Sequence, residues 1–331
     1  MSPHGLNGAC RMLIPDKNLS NRFRNMALLC ALLVVMIHCV THLGMTNWFV
    51  RMAIQDGFCR IAVPYFFFAS GFFLVAHIQE KGWYSREIRK RVRSLLIPYF
   101  VFVVSYLLFS LCFDIVQNRF EGATNKEVYI FTVERVVSDL GLNPFCHPVL
   151  FPLWYVRALF VLILISPCLF MLAKYLGVWG CVVLLFLYAT LGPWEIDLDN
   201  VFRKFLSVHG AFYMYLGILF GMGIVNVRIG KFAACVVFLA GLLGLALKVF
   251  TQVEGFPHYY YYGFISCPLL LLGLFNLIPD LKIPIWIVTC SFPIYLFHMF
   301  VLKAVRGAAV MMGISLNANV LMWEVIAKPR R

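Results

Sequence analysis

Residues 26–45 read MALLCALLVVMIHCVTHLGM, an apolar run without Asp, Glu, Lys or Arg. A helix needs about 20 such residues to cross a bilayer core of about 30 Å. Two histidines, His38 and His42, lie in the second half of the run, and their i, i+4 spacing places both on one helix face. The stretch therefore predicts a membrane-spanning helix that carries ionisable side chains.

The rest of the chain repeats this pattern. Of its 331 residues 62% are hydrophobic and 13% are charged, against about 45–50% and about 25% in soluble domains. The predicted spans are 26–45, 58–78, 95–116, 150–172, 179–194, 205–223, 232–250, 259–278, 285–303 and a weak one at 308–323. We predict an all-α fold, in which residues 1–331 form one polytopic transmembrane helical bundle of about ten spans.

Charge sets the expected orientation. The net charge of +13 would raise nucleic acid as a partner of a soluble protein, but the basic residues crowd into segments between apolar runs. A cytoplasmic N-terminus places most Lys and Arg on the inner side, as membrane topology favours. We therefore expect a multi-pass protein that lies among the lipids of the cell (inner) membrane and does not bind nucleic acid. Segment 1–25 is expected to be cytoplasmic and not a removable signal peptide, and residues 117–149 are expected to form an outer loop.

The outer loop 117–149 is polar and predicts a short amphipathic helix that caps a site from outside. Below it, His38 is a functional candidate, because an ionisable residue inside a span usually has a role. A neutral histidine that merely bonds a neighbouring helix carries about equal weight. A metal site is disfavoured, since no third or fourth ligand accompanies His38 and His42.

The densest charge cluster runs from Lys81 to Arg93 and includes Arg86, Arg89, Lys90 and Arg91. Its simplest explanation is topology with attraction to anionic lipid, worth about 1 kcal/mol per residue. The alternative is a receptor for the phosphates of a cytoplasmic nucleotide-like donor, because guanidinium groups match phosphate oxygens. The spacing of the basic residues alone slightly favours the explanation by topology and lipid attraction.

Five segments follow one another along the chain. They are V-V-x-x-H at Val34–His38, R-x-x-V-P-x-F-F-x-x-S-G at Arg60–Gly71, a basic run that leads through Arg93 to Pro98 and Tyr99, L-W-Y at Leu153–Tyr155, and Y-L-x-H at Tyr295–His298. Taken in this order, they resemble the acyltransferase-3 family of integral membrane O-acyltransferases. The resemblance extends from about Phe23 to about Phe300 and is closest to short members without an extracytoplasmic esterase-like domain.

The resemblance implies transfer of an acyl group, with acetyl favoured, from acyl-CoA to a hydroxyl of a surface glycan or glycolipid. His38 matches the essential first-helix histidine, and we expect it to act as general base. By the same carry-over the catalytic residues are His38, His298 and Ser70. The expected donor is acetyl-CoA, and no metal is expected. The residues expected to bind the donor are Arg89, Arg91, Arg93 and Arg60, and the roles of the three arginines in the basic run are interchangeable.

One departure from the family pattern leaves alternatives open. Many members place an arginine about three turns before the first-helix histidine, where this chain has Ala27, with Arg24 one turn earlier. A secondary transporter that relays protons through intramembrane histidines is the main rival, although no internal repeat supports it. A catalytically inactive lipid-binding or scaffold protein is the third possibility.

Overall fold

Helices make up the regular structure of the part of the chain that the computed structural model describes. The described residues are 17–42, 54, 57–76, 78, 80–121, 132–142, 150–191, 207–253, 259–278 and 281–312. The helices are α1 (Lys17–His42), α2 (Ala62–Val75), α3 (Trp83–Arg91), α4 (Ile97–Glu121), α5 (Val133–Asp139), α6 (Trp154–Leu164), α7 (Ser166–Leu176), α8 (Trp179–Leu191), α9 (Val208–Gly221), α10 (Lys231–Val253), α11 (Tyr259–Leu277), α12 (Ile285–Val288) and α13 (Ser291–Met311).

Apolar helices long enough to cross a membrane run through this bundle. By length and composition, three stretches of the described residues qualify, namely Lys17–Cys39, Trp83–Cys112 and Lys231–Thr251, and α6 with α7 makes a fourth when the pair is taken as one span. Shorter apolar helices accompany them, including α9. The predicted all-α transmembrane class is therefore confirmed.

The predicted span 150–172 is wrong as a single helix. It divides into α6 and α7, which meet at an angle of 61°. Pro167 occupies the first turn of α7, where proline is tolerated, whereas it could not continue the hydrogen-bond ladder of α6. The Ser166 hydroxyl donates to the Ile163 carbonyl across the break, so the bend keeps a partner for that backbone group.

The predicted boundary between spans 285–303 and 308–323 is also wrong. One continuous helix, α13, runs through it, preceded by the short α12. An isolated Gly307 is tolerated in a helix, and the exposed Arg306 extends away from the bundle. The remainder of the span predicted at 308–323, from residue 313 onward, lies outside the described residues.

The basic segment between the predicted spans 58–78 and 95–116 is mostly helical and is not a simple loop. α3 continues through a π-helical segment, Val92–Leu96, into α4. A π segment widens one turn of a helix and changes the direction in which the following side chains point. The basic residues therefore have defined helical faces, which a loop would not give them.

The core forms where α2 packs between α1 and α9. Tyr65 and Phe67, which lie within the motif at Arg60–Gly71, are almost fully buried there, so this segment belongs to the packed core. A Cβ atom on Gly71 would lie 2.0 Å from the Met214 carbonyl oxygen of α9, and one on Gly217 would lie 2.0 Å from the Phe68 carbonyl oxygen of α2. These two glycines let α2 and α9 approach closely, because small residues allow helix backbones to come together.

Candidate active site

Two histidines from opposite ends of the sequence meet inside the bundle. α1 packs against α13, and the ring centroids of His38 and His298 lie 5.0 Å apart at an interplanar angle of 36°. His298 is 5% exposed, and His38 is half-buried. The structure therefore brings together the two predicted catalytic histidines and turns the His38 ring toward the bundle interior.

A backbone contact indicates how the proton of His298 is placed. Its Nδ1 lies 2.7 Å from the carbonyl oxygen of Tyr295. A carbonyl oxygen can only accept, so in the neutral ring Nδ1 carries the hydrogen and donates it. Nε2, which is buried, is then the nitrogen that carries the lone pair. In this tautomer, Nε2 of His298 can accept a proton or a hydrogen bond.

A layer of tyrosines lies beside the histidine pair. The Tyr295 ring centroid is 6.1 Å from that of His298 and 6.0 Å from that of Tyr155. The Tyr295 hydroxyl donates to the Pro152 carbonyl, while the hydroxyls of Tyr155 and Ser70 share a hydrogen bond. Ser70, the third predicted catalytic residue, is thus linked to the histidines through two buried tyrosines.

The basic cluster forms an open surface pocket of about 430 Å³. It is lined by Arg86, Arg89, Lys90, Arg93 and Ser94. The four basic residues have the spacing i, i+3, i+4 and i+7, which places them along one face of a helix. Arg89 and Arg93 are both exposed. The pocket therefore concentrates positive charge where a soluble anion can reach it.

Arg91 differs from the other two arginines predicted to bind the donor. Its Nε lies 2.5 Å from Oε1 of Glu87, and the two side chains are only 20% and 5% exposed. It lies two residues from both Arg89 and Arg93, and two residues correspond to about 200° around a helix. Arg91 therefore points away from the basic pocket and toward the bundle.

Arg60 is not part of the basic pocket. It lies in a 3₁₀ turn, Phe58–Ile61, immediately before α2, whereas the pocket residues follow the other end of that helix. The 14 residues of α2 span about 21 Å. Arg60 is exposed and lies in electrostatic range of Cys267 in α11. The structure thus separates it from the three arginines with which the resemblance groups it.

The segment predicted as an outer loop, 117–149, is held to the bundle at its described end. The predicted short helix is α5, at residues 133–139. Just after it, the buried Arg157 of α6 donates to the Gly141 carbonyl oxygen at 2.7 Å, and the Tyr99 hydroxyl of α4 donates to that of Leu140 at 3.0 Å. These bonds give the intramembrane Arg157 a role in anchoring the loop.

Sequence reasoning left Glu87, Tyr155 and Tyr295 out of the site. Both tyrosines lie in the motifs at Leu153–Tyr155 and Tyr295–His298, but such residues are also common at membrane interfaces. The signal for Glu87 was its i, i+4 spacing from Arg91, which has meaning only in a helix. Among the described residues, no group of three or more His, Cys, Asp or Glu comes together, and the prediction of a metal-free site stays a prediction.

The helical bundle, with a histidine pair inside it and a basic pocket at its surface, defines a polytopic α-helical membrane protein. The family model for the acyltransferase domain matches residues 26–325 of the chain. The chain therefore belongs to the acyltransferase-3 family and is a membrane acyltransferase. Searches of curated proteins and of solved structures found no match.

Proposed function

We propose that this membrane acyltransferase moves an acyl group, with acetyl favoured, from acyl-CoA to a hydroxyl of a cell-surface carbohydrate or glycolipid. The observation that carries the proposal is the 5.0 Å approach of His38 and His298. Acyl transfer to an alcohol needs a base at the hydroxyl and a route for the proton to the leaving group. Two adjacent imidazoles within a bundle supply both.

In this mechanism His38 removes the hydroxyl proton while the oxygen attacks the thioester carbonyl carbon. A C–O bond forms, the C–S bond breaks, and the proton passes from His38 to the departing thiolate. The neutral His298 assists by holding an acceptor nitrogen beside His38, because its Nδ1 is engaged with the Tyr295 carbonyl. General acid–base catalysis of this kind contributes about 10²–10⁴-fold in rate.

The donor side of the proposal rests on the basic pocket. Its guanidinium groups at Arg89 and Arg93 suit the phosphates of CoA, since arginine forms paired, charge-assisted hydrogen bonds with phosphate oxygens. We place this pocket and residues 1–25 on the cytoplasmic side of the cell membrane, in agreement with the distribution of basic residues. The acceptor then approaches from the outer side, near the loop 117–149.

The test is acetyl transfer by the purified protein from radiolabelled acetyl-CoA to surface glycan extracted from cells that lack the gene. We expect His38→Ala to lose transfer by about 10²–10⁴-fold while it keeps its thermal unfolding midpoint. His42→Ala, one turn further along α1, is the matched control and retains activity. Full transfer by His38→Ala would remove His38 as the base.

A second measurement separates the enzyme from the rival transporter. CoA should raise the thermal unfolding midpoint of the wild type, because a ligand that binds only the folded state stabilises it. A proton-coupled carrier has no reason to respond to CoA. The absence of both stabilisation and transfer would contradict the proposed function.

A further inference from the structure

The starting observation is that two ion pairs, one that joins α3 to the turn before it and one within α3, have opposite surroundings. Glu80 and Arg86 pair at 2.6 Å with side chains 48% and 62% exposed, whereas Glu87 and Arg91 pair at 2.5 Å with side chains 5% and 20% exposed. A buried pair must overcome the cost of removing two charges from water, and its net stabilisation is often close to zero. A purely stabilising role therefore explains Glu87 and Arg91 poorly.

The buried pair faces the helix that carries Tyr155. α3 and the following π segment pack against α6, and the Tyr84 hydroxyl donates to the Leu164 carbonyl oxygen at the far end of this contact. Arg91 lies in electrostatic range of the Tyr155 hydroxyl. Because Glu87 holds the Arg91 guanidinium through Nε, the position of that positive charge relative to Tyr155 is defined.

Tyr155 in turn connects this charge to the predicted catalytic groups. Its hydroxyl shares a hydrogen bond with Ser70, and its ring packs against Phe67 with centroids 4.8 Å apart and against Tyr295 at 6.0 Å. The aromatic contacts fix the ring, so the hydroxyl can adopt few orientations. A fixed positive charge favours the O–H orientation that turns a lone pair of the phenol oxygen toward the charge and the hydrogen away from it.

We propose that Glu87 and Arg91 are positioning residues, which orient the hydroxyl pair of Tyr155 and Ser70 in the acyl-transfer site, and that Arg91 does not bind donor phosphate. Donor binding is then left to the exposed face of Arg86, Arg89, Lys90 and Arg93. This inference rests on the proposed function, and it divides the basic run into one face for binding and one for positioning.

Steady-state kinetics with acetyl-CoA test the division. Tyr155→Phe and Glu87→Gln should each lower kcat by about tenfold or more and leave the donor KM within about twofold, because they disturb a group that acts after binding. Tyr84→Phe is the matched control, since it removes a hydroxyl from the same α3–α6 contact without touching the network, and it should retain kcat. Arg91→Lys, which keeps the charge, should retain more activity than Arg91→Ala.

A double-mutant cycle gives a readout that a structural role would not move. If the residues act as a unit, Glu87→Gln combined with Tyr155→Phe should lower kcat no further than the more severe single change. Fully multiplicative effects, or a raised donor KM with unchanged kcat, would overturn the inference and return Arg91 to the binding pocket. An unchanged donor KM also reports that the variants are folded. A wild type without transfer would instead overturn the proposed function, and this inference with it.

Discussion

The histidine pair and the basic pocket are two regions with predicted chemistry and opposite environments. His298 is 5% exposed and keeps its ring beside that of His38 through packed helices. Arg89 and Arg93 are exposed along an open pocket. A buried polar group is held in one geometry, and no neighbouring group can take over its interactions. Exposed charges of the same sign can take over each other's interactions with an anion, and salt screens them. Single substitutions should therefore act strongly in the first region and weakly in the second.

The largest effect is expected at His298. His298→Ala removes the acceptor nitrogen beside His38 and should lower kcat by about 10²-fold or more, with little change in donor KM. The measurement is initial-rate acetyl transfer at several acetyl-CoA concentrations. Phe297→Leu, at an exposed neighbouring position on α13, should retain activity. Full activity of the His298→Ala variant would show that the contact between His298 and His38 has no catalytic role.

The next effect concerns the packing beneath the interior site. Gly71→Val forces side-chain atoms against the Met214 carbonyl oxygen of α9 and should lower the free energy of unfolding by about 1–3 kcal/mol or more. Thermal unfolding in detergent measures the loss. Gly230→Ala is the control, because a Cβ there meets no atom within 4 Å. Equal midpoints for the two variants would contradict the close approach of α2 and α9.

In the basic pocket the effect should be smaller and should depend on salt. Arg89→Ala combined with Arg93→Ala should raise the donor KM about tenfold, equivalent to about 1.4 kcal/mol, with kcat nearly unchanged. Raising the ionic strength should raise the wild-type KM in the same direction. Arg228→Ala, at an exposed position between α9 and α10, should leave KM unchanged. A much lower kcat in the double variant would mean that the basic pocket acts in catalysis as well as in donor binding, and would contradict the contrast drawn between it and the histidine pair.

The smallest effect is expected at the exposed ion pair. Glu80→Gln should change the free energy of unfolding by less than about 1 kcal/mol, because surface pairs contribute little. Its buried counterpart, Glu87→Gln, should destabilise more, since it leaves a guanidinium inside the bundle without its carboxylate. Calorimetry or thermal unfolding of the two variants compares them directly. A reversed order would mean that burial does not control these pairs.

Hydropathy predicted the helices well where a span is long and uninterrupted. α10 falls close to the predicted span 232–250, and α1 contains most of the predicted span 26–45 but begins nine residues earlier, at Lys17. An apolar run of that length has few alternatives to a helix in a membrane. Hydropathy failed at Pro167 and at Gly307, which look alike as helix breakers. Pro167 begins a new helix after a bend, whereas Gly307 lies inside a continuous one, since only proline lacks the N–H that the ladder needs.

The site was predictable in its members but only partly in its arrangement. The family resemblance named His38, His298 and Ser70, and those roles stay predictions. The separation of Arg91 from Arg89 and Arg93 was accessible in principle from their two-residue spacing, but only if the segment was recognised as helical. The separation of Arg60 from the basic pocket was also accessible from the sequence, because Arg60 lies near the beginning of the predicted span 58–78 and the basic run follows its end.

Composition and the order of the apolar runs by themselves determined that this chain is an all-α membrane protein, because an apolar segment in lipid must satisfy its backbone hydrogen bonds within a helix. Only the tertiary structure decided that His38 meets His298 and that the pair of Glu87 and Arg91 is buried. Such contacts depend on which helices pack together and through which faces, and the packing of α1 against α13 joins residues that no local pattern connects.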